Sequence, residues 1–479
     1  MAFSPQSDNP STADDRTTAD EALAACNRSL TPSSSGPMAS VTMQRATLHP
    51  NVFRKRLLSI DGNPGPGDWV AVYRVEPEPT RNMDRQQSAD RQQSAERQTA
   101  GRPGDGRPPR REDRSASNMS SEAPTIFGYG IYNPKAEVAV RLYSWQLQLP
   151  DDAFWDGLID SAISFRHDTL QLPDTTNAYR VIHGEADGFP GLVVDRYGDC
   201  LSAEAFSMGM YQRANQVLAR MESKLGTRHR RIQPSPQFLS QEGAIVDAVS
   251  SSNLPEYATI SENNVKYRIH FGTGHKTGFF CDQRDNRVML AQHSRGKSVL
   301  DLCCYTGGFS VAAATAGEAT EVTGVDLDEE ALATAKKNAA INHAKVRFVH
   351  ADAFAYMRDM LRNRKQFDIV VLDPPKLIRS RAELEEGSHK HFDLNRLALQ
   401  LVKRGGLLLT CSCAGLLSAD AFQQIVQSAA RSGGFDENGK RIPGRTVQVF
   451  ESRSAAPDHP VAMHCPETGY LKAFWARVL

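Results

Sequence analysis

Two apolar runs on the C-terminal side of the chain end in reactive groups: FDIVVL leads into Asp373-Pro374-Pro375-Lys376, and GGLLLT leads into Cys411-Ser412-Cys413. The two prolines restrict the backbone and remove two N–H donors, so this turn presents the Asp373 carboxylate stiffly. A thiol at the end of the second run can serve as a nucleophile once ionised, which takes nearby cations or dipoles because a free thiol ionises only near pH ~8.5. Strand alternation puts Cys411 and Cys413 on one face, so spacing alone does not choose between them. Cys413 is nearer the end of the run and is followed by Ala414-Gly415, which gives it the better reach.

A series of acids accompanies these two ends. SVLDLCCYTGGFSVAAA at 298–314 reads as a strand, a glycine turn and a helix of small residues, with backbone at Gly307 and Gly308 open to close approach. It is neither Gly-x-Gly-x-x-Gly nor a phosphate loop. The next apolar run ends at Asp326, nineteen residues after Gly307, where a carboxylate can accept both hydroxyls of a ribose. Asp352 follows one strand later and can meet an adenine amino group. One such acid is ordinarily a helix cap. The ordered set Asp301, Asp326, Asp352 and Asp373 is harder to explain by capping alone, and an adenosine ligand without a pyrophosphate cradle fits S-adenosylmethionine better than a nicotinamide dinucleotide.

The elements that must hold these residues are those of an α/β parallel sheet, whose strand ends share one crevice. Apolar runs alternate with helical windows from 263 to 479, with strands expected near 298–302, 322–325, 346–350, 368–372 and 407–411 and a last one at YLKAFWARV. Residues 151–262 read as a small α+β unit that opens on a helix and contains a hairpin around Asp187-Gly188-Phe189-Pro190-Gly191. Residues 41–150 are β-rich, interrupted at 77–124 by a repeat (RQQSAD, RQQSAE) and a Gly/Pro/Arg stretch that cannot bury enough apolar area to fold. Residues 1–40 read as a disordered leader.

Lys plus Arg equal Asp plus Glu at 56 each, so any nucleic-acid contact must be local. No apolar run reaches the ~18 residues of a membrane span and no signal segment opens the chain, so a cytoplasmic protein is expected. The 8 cysteines are too sparse for a disulfide scaffold and form no Cys-x-x-Cys, so no metal site is expected.

In amino-methylating enzymes a similar Asp-Pro-Pro is usually followed by an aromatic residue, whereas here Lys376 follows. That favours a thiolate route. Cytosine C5 is a weak nucleophile, and thiolate addition at C6 activates it, with Asp373 against the pyrimidine edge.

These motifs resemble the class I S-adenosylmethionine-dependent methyltransferases and, more narrowly, the bacterial ribosomal RNA large subunit methyltransferase I family, which makes 5-methylcytosine in 23S RNA. The resemblance runs through GEADGFPGLVVDRYG (184–198), GHKTGFFCDQRDNR (274–287), LDLCCYTGGFSV (300–311), ADAF (351–354), LDPPK (372–376), TCSCAGL (410–416) and DHP (458–460), and more weakly through HPNVFRKRL and GYGIYN. It implies an RNA-binding PUA barrel, a central α+β domain and a Rossmann-like catalytic domain. It aligns the family's nucleophile with Cys413 and implies Asp373 and Lys376 as the further catalytic residues. It implies cofactor contacts at Lys276, Thr277, Asp301, Tyr305, Thr306, Gly307, Gly308, Asp326, Asp352 and Asp373, with S-adenosylmethionine as cofactor and large-subunit rRNA as partner. The insertion at 77–124 departs from the family and splits the expected barrel. A homodimer stays open, as does contact of Lys276 and Arg284 with RNA phosphates. The alternatives are methylation of an amino group (guanine N2 or adenine N6) without a covalent step, and a non-catalytic RNA-binding assembly factor.

Overall fold

The computed structural model describes residues 23–33, 37–75, 123–272, 277–435 and 441–479. Six short strands form the first sheet, in the order 51–53, 138–144, 125–132, 68–74, 40–43, 57–61. Their alternating inward residues, among them Val41, Val52, Val70, Val72, Ala139, Val140 and Leu142, make a core of their own. Asp68–Arg74 and Thr125–Tyr132 pair antiparallel with Arg74 opposite Thr125. The segment expected as an insertion therefore leaves and rejoins at neighbouring strand ends, and all of it except Ala123 and Pro124 lies outside the described residues.

The expected leader is corrected over 23–33. Cys26 and Leu30 are buried, and the indole N–H groups of Trp69 and Trp155 both donate to the Leu30 carbonyl at 3.2 Å. Arg28 pairs with Asp68, and Arg213 Nε donates to the Ser29 carbonyl at 2.9 Å. A few apolar side chains (Leu23, Cys26, Leu30) suffice to anchor a polar segment when a waiting core takes them in.

A second sheet follows, in the order 249–250, 229–234, 200–205, 192–197, 178–183, flanked by the helices Asp152–Ser164 and Ala214–Leu225. Asp151 caps the first of these by accepting the Phe154 N–H at 2.8 Å. The hairpin Tyr257–Glu262 and Val265–His270 straddles the boundary expected at 262–263, turning on Asn263 and Asn264 with φ of 48° and 66°.

The main sheet of the third unit has seven strands among the described residues: β1 (Ser298–Leu302), β2 (Glu321–Asp326), β3 (Arg347–His350), β4 (Phe367–Leu372), β5 (Val402–Ser412), β6 (Val447–Arg453) and β7 (Lys472–Val478). The helices are α1 (Arg284–Ser294), α2 (Gly308–Thr315), α3 (Glu329–Ile341), α4 (Ala353–Arg362), α5 (Leu384–Leu401) and α6 (Ala419–Ser432). The sheet order is β3-β2-β1-β4-β5-β7-β6; β1 to β5 are parallel, and β7 runs antiparallel between β5 and β6. Helices on both faces explain why β1, β4 and the end of β5 read as continuous apolar runs. Strand β6 was not expected from the sequence. It is an edge strand with mostly exposed side chains, so it lacks the apolar run that marked the others.

Candidate active site

The parallel strands reverse direction of winding between β1 and β4, and the crevice at their carboxyl ends is where such sheets take ligands. The turn after β1 is tightly wound: Cys303, Tyr305 and Gly307 have φ of 60°, 50° and 77°. Gly307 sits at the N-cap of α2, and a Cβ there would meet Ala335 and the Phe348 ring at 3.1 Å. Its glycine is thus demanded by backbone conformation and by packing against α3 and β3, not by ligand approach alone. At Gly308 a Cβ would make an ordinary 3.4 Å contact with Arg287.

Asp301, fully buried on β1, takes over the capping that Gly307 has no side chain to perform. Its Oδ2 accepts the Ser310 N–H at 2.9 Å and the Ser310 hydroxyl at 2.6 Å, while its buried Oδ1 has no hydrogen-bond partner. Burial pushes this carboxyl up to about 7, the Ser310 hydroxyl opposes it, and Asp373 and then Asp326 add to the rise. Asp326 ties two segments together, accepting the N–H of Tyr305 at 2.7 Å and of Asp328 at 2.9 Å. An ionised carboxylate has about four acceptor positions, so a diol can still be held there. Asp352 is exposed and caps α4 through the Ala355 N–H at 2.9 Å.

The four strand-end acids all act on one side chain. The Cys303 thiol is pushed up first by burial and then by Asp326, Asp373, Asp301 and Asp352 together. Tyr305 also belongs to this neighbourhood, its ring edge-on to Phe280 at 5.2 Å, and the Thr306 carbonyl accepts Asn338 Nδ2 at 2.9 Å. Such a ring of carboxylates suits a cationic ligand, and the unpartnered Asp301 oxygen suits an ammonium.

On the other side of the crevice Asp373 is half-buried, and its N–H points to the Leu302 carbonyl at 3.4 Å. Pro374 is buried, whereas Pro375 and Lys376 are exposed. Cys411 lies in the core, opposite Ala473 on β7, its thiol held far above the usual range by burial and then by Asp373. Cys413 follows the last residue of β5, borders the same cluster and is half-buried. The face shared by the two cysteines thus continues from core to crevice. Between them Ser412 is buried, its Oγ 3.2 Å from His391 Nε2.

Two expected residues have their side chains engaged by protein partners. Thr277 is buried against the second sheet, donating to Asp195 Oδ2 at 2.5 Å and lying 3.0 Å from the Tyr197 hydroxyl. Arg284 is only 3% exposed and grips Asp458 through two bonds of 3.1 and 2.7 Å, so it offers no charge to RNA phosphates. Lys276 lies outside the described residues. Sequence reasoning missed the centre to which Arg284 belongs: Asp458 also accepts the Arg180 N–H at 2.8 Å, and Arg166 donates to the Asp458 carbonyl at 2.7 Å while clasping Asp187 at 2.6 and 2.8 Å. The DHP motif was the available signal. The motif serves as a joint between the second and third units. A parallel pair, Arg287 with Glu262 at 2.7 Å twice, fastens the 257–270 hairpin to α1.

Among the described residues, His49, Cys465 and Glu467 bring three metal-ligating atoms within 4.8 Å. The Asn51 N–H donates to His49 Nδ1 at 3.0 Å, which leaves the ring proton on Nε2, facing Glu467 Oε1 at 2.5 Å. The trio is therefore a hydrogen-bonded clasp between the first sheet and the segment before β7. No described helix is long and apolar enough to cross a membrane.

This sheet order, the acid series and the glycine turn define an S-adenosylmethionine-dependent methyltransferase with a Rossmann-like fold, and S-adenosylmethionine is its cofactor. A profile of S-adenosylmethionine-dependent methyltransferases matches residues 226–443. A methyltransferase solved with SAH shares the fold at a TM-score of 0.63 and 23% identity, over 74% of this chain and 90% of that one. Another, from Streptococcus mutans, does so at 0.61 and 22%, over 74% and 88%. Ribosomal RNA large subunit methyltransferase I of Pseudoalteromonas atlantica is 35% identical over 76% of this chain and 90% of its own length. The Escherichia coli protein of the same name is 34% identical over 73% and 87%. The chain belongs to the ribosomal RNA large subunit methyltransferase I family.

Proposed function

We propose that this chain methylates C5 of a cytosine in 23S rRNA through a covalent bond between Cys413 and C6. The observation that carries the proposal is a half-buried thiol one residue past the end of β5, at the strand end next to the Asp-Pro-Pro turn that ends β4. The names of the relatives support rRNA as the substrate.

S-adenosylmethionine supplies a methyl group on a sulfonium centre. Asp326 would hold the ribose hydroxyls, Asp352 the adenine amino group, and Asp301 Oδ1 the methionine ammonium. The fit rests on that buried, unpartnered oxygen and on the surrounding acids. The Cys413 thiolate adds to C6 and the ring electron pair moves toward N3, while the Asp373 carboxylate accepts a hydrogen bond from the exocyclic amino group on the pyrimidine edge. C5 then takes the methyl group; loss of the C5 proton to a base expels the thiolate and restores the ring. Lys376, exposed beside Asp373, meets the RNA backbone. A single-stranded or flipped cytosine is required, because a stacked base cannot admit sulfur at C6. The first sheet acts as a PUA-like RNA grip beside the central unit.

Incubating the protein with S-adenosylmethionine and 5-fluorocytidine-containing rRNA should trap a denaturation-resistant protein–RNA adduct, because fluorine cannot leave C5 as a proton does. Cys413→Ala should form none. An undiminished adduct from that variant removes Cys413 from the mechanism, and a methylated exocyclic amine found by nucleoside mass spectrometry replaces the proposal with amino-group transfer.

A further inference from the structure

Lys472 opens β7, and the pairing of β5 with β7 sets it opposite Ser412, next to Cys413 along the sheet. It is 8% exposed. Its ammonium donates to the Ala414 carbonyl at 2.5 Å and to the Tyr470 carbonyl at 2.7 Å. Ala414 is the residue after Cys413, so this one group grips the backbone on the far side of the thiol. Both acceptors are neutral, whereas a lysine taken this far from water ordinarily has an anion for company.

We propose that Lys472 is the cation that keeps Cys413 ionised before attack, a positioning residue that acts through the sulfur and does not touch the RNA. The inference rests on Cys413 as the nucleophile. The thiol proton passes to solvent as the thiolate forms, and the ammonium keeps its three. When sulfur bonds to C6 the negative charge moves into the ring and the ammonium loses its counter-ion. Breaking that S–C6 bond restores the pair, so the same cation also favours release of the sulfur.

The surrounding charges agree. Burial pushes Lys472 down to about 8, the Cys413 thiolate opposes this, and Lys376 pushes further down. His391, from α5, is pushed down to about 4 by burial and then by Lys472, so at neutral pH it is uncharged and cannot be the activating cation. Lys376, from the turn after β4, is exposed and its field is screened by water and salt. Among the described residues, the other titratable groups beside these cysteines include Asp373 in the same turn, Cys411 on β5, and Asp282, which accepts the Tyr470 hydroxyl at 2.6 Å. None of these supplies a positive charge.

The test is the pH profile of Cys413 alkylation by iodoacetamide in the full chain, read by peptide mass spectrometry. The wild-type midpoint should lie below the ~8.5 of a free thiol. Lys472→Met should raise it by about one pH unit or more and slow alkylation at pH 7 roughly tenfold, and Lys472→Arg should restore it. Should Lys472→Met fail to fold in a thermal melt, Lys472→Gln, which can still donate to carbonyls but carries no charge, takes its place. Identical profiles for wild type and the uncharged variant overturn the inference. The 5-fluorocytidine adduct is read separately: a shifted profile with no wild-type adduct sinks the cytosine-C5 mechanism and leaves the ion pair standing, and an adduct with unshifted profiles does the reverse.

Discussion

Asp301 on β1 holds Ser310 in the first turn of α2 by two hydrogen bonds to a single oxygen, 2.9 Å from the N–H and 2.6 Å from the hydroxyl. The other oxygen is buried without a partner, and the carboxyl is raised to about 7, chiefly by burial. A carboxyl raised above its unfolded value favours the folded state most at low pH, and that contribution is lost as pH rises through about 7. Asn at 301 keeps an acceptor for Ser310 and carries no charge. Asp301→Asn should therefore stabilise the protein at pH 8 by about 1–3 kcal/mol, with no gain at pH 4, while weakening S-adenosylmethionine binding. Thermal melts at the two pH values and calorimetry check both halves.

Asp326 joins the turn after β1 to the end of β2 through Tyr305 and Asp328. Removing the carboxylate takes away both backbone anchors and the expected ribose contact. Asp326→Ala should weaken cofactor binding by about tenfold to a hundredfold, since each hydrogen bond to a charged group is worth roughly 1.5–3 kcal/mol. Unchanged affinity by calorimetry would remove Asp326 from the cofactor site.

The Arg284–Asp458 pair lies inside the joint between the second and third units, with both partners nearly sealed from water. Burial by itself would raise the Asp458 carboxyl, but His459 and Arg284 together outweigh it and hold the group well below its ordinary range. A depressed carboxyl lends stability above its unfolded value, and this is lost as pH falls. Asp458→Asn should cost about 3–5 kcal/mol at pH 7 by stranding Arg284, and should flatten the acid side of the stability profile. Urea unfolding between pH 3 and pH 7 measures it.

Cys411 is buried opposite Ala473 of β7 with its thiol held protonated. Cys411→Ala should keep adduct formation and methyl transfer close to wild type and lose about 1 kcal/mol of stability from the small cavity. Loss of the adduct in this variant, with folding intact, would move the nucleophile one turn of the strand inward.

The strands of the catalytic unit were legible because burial on both faces writes them as apolar runs, and each strand-end acid stood in its expected place along β1, β2 and β4. Strand β6 was not legible, since an exposed edge alternates too weakly to distinguish from a loop. The packing of Leu23, Cys26 and Leu30 was hidden by the polar residues around them; their partners Trp69 and Trp155 lie far along the chain. The same distance hid the Arg284–Asp458 pair, 174 residues apart, and the meeting of Lys472 with Cys413 across an antiparallel register. Periodicity reports which face is buried, not which charge will find which. The bond from the Thr277 hydroxyl to Asp195, 82 residues away, was hidden in the same way.

Strand β7 lies between β5 and β6 although it follows both in the chain. During synthesis, β5 emerges with an unpaired apolar edge, Leu407 to Cys411, and must wait about sixty residues for Lys472–Val478 to cover it. The nascent protein thus passes through a stage in which its most adhesive strand is bare, and its recovery from cells should depend on chaperone shielding or on the pace of translation across that interval.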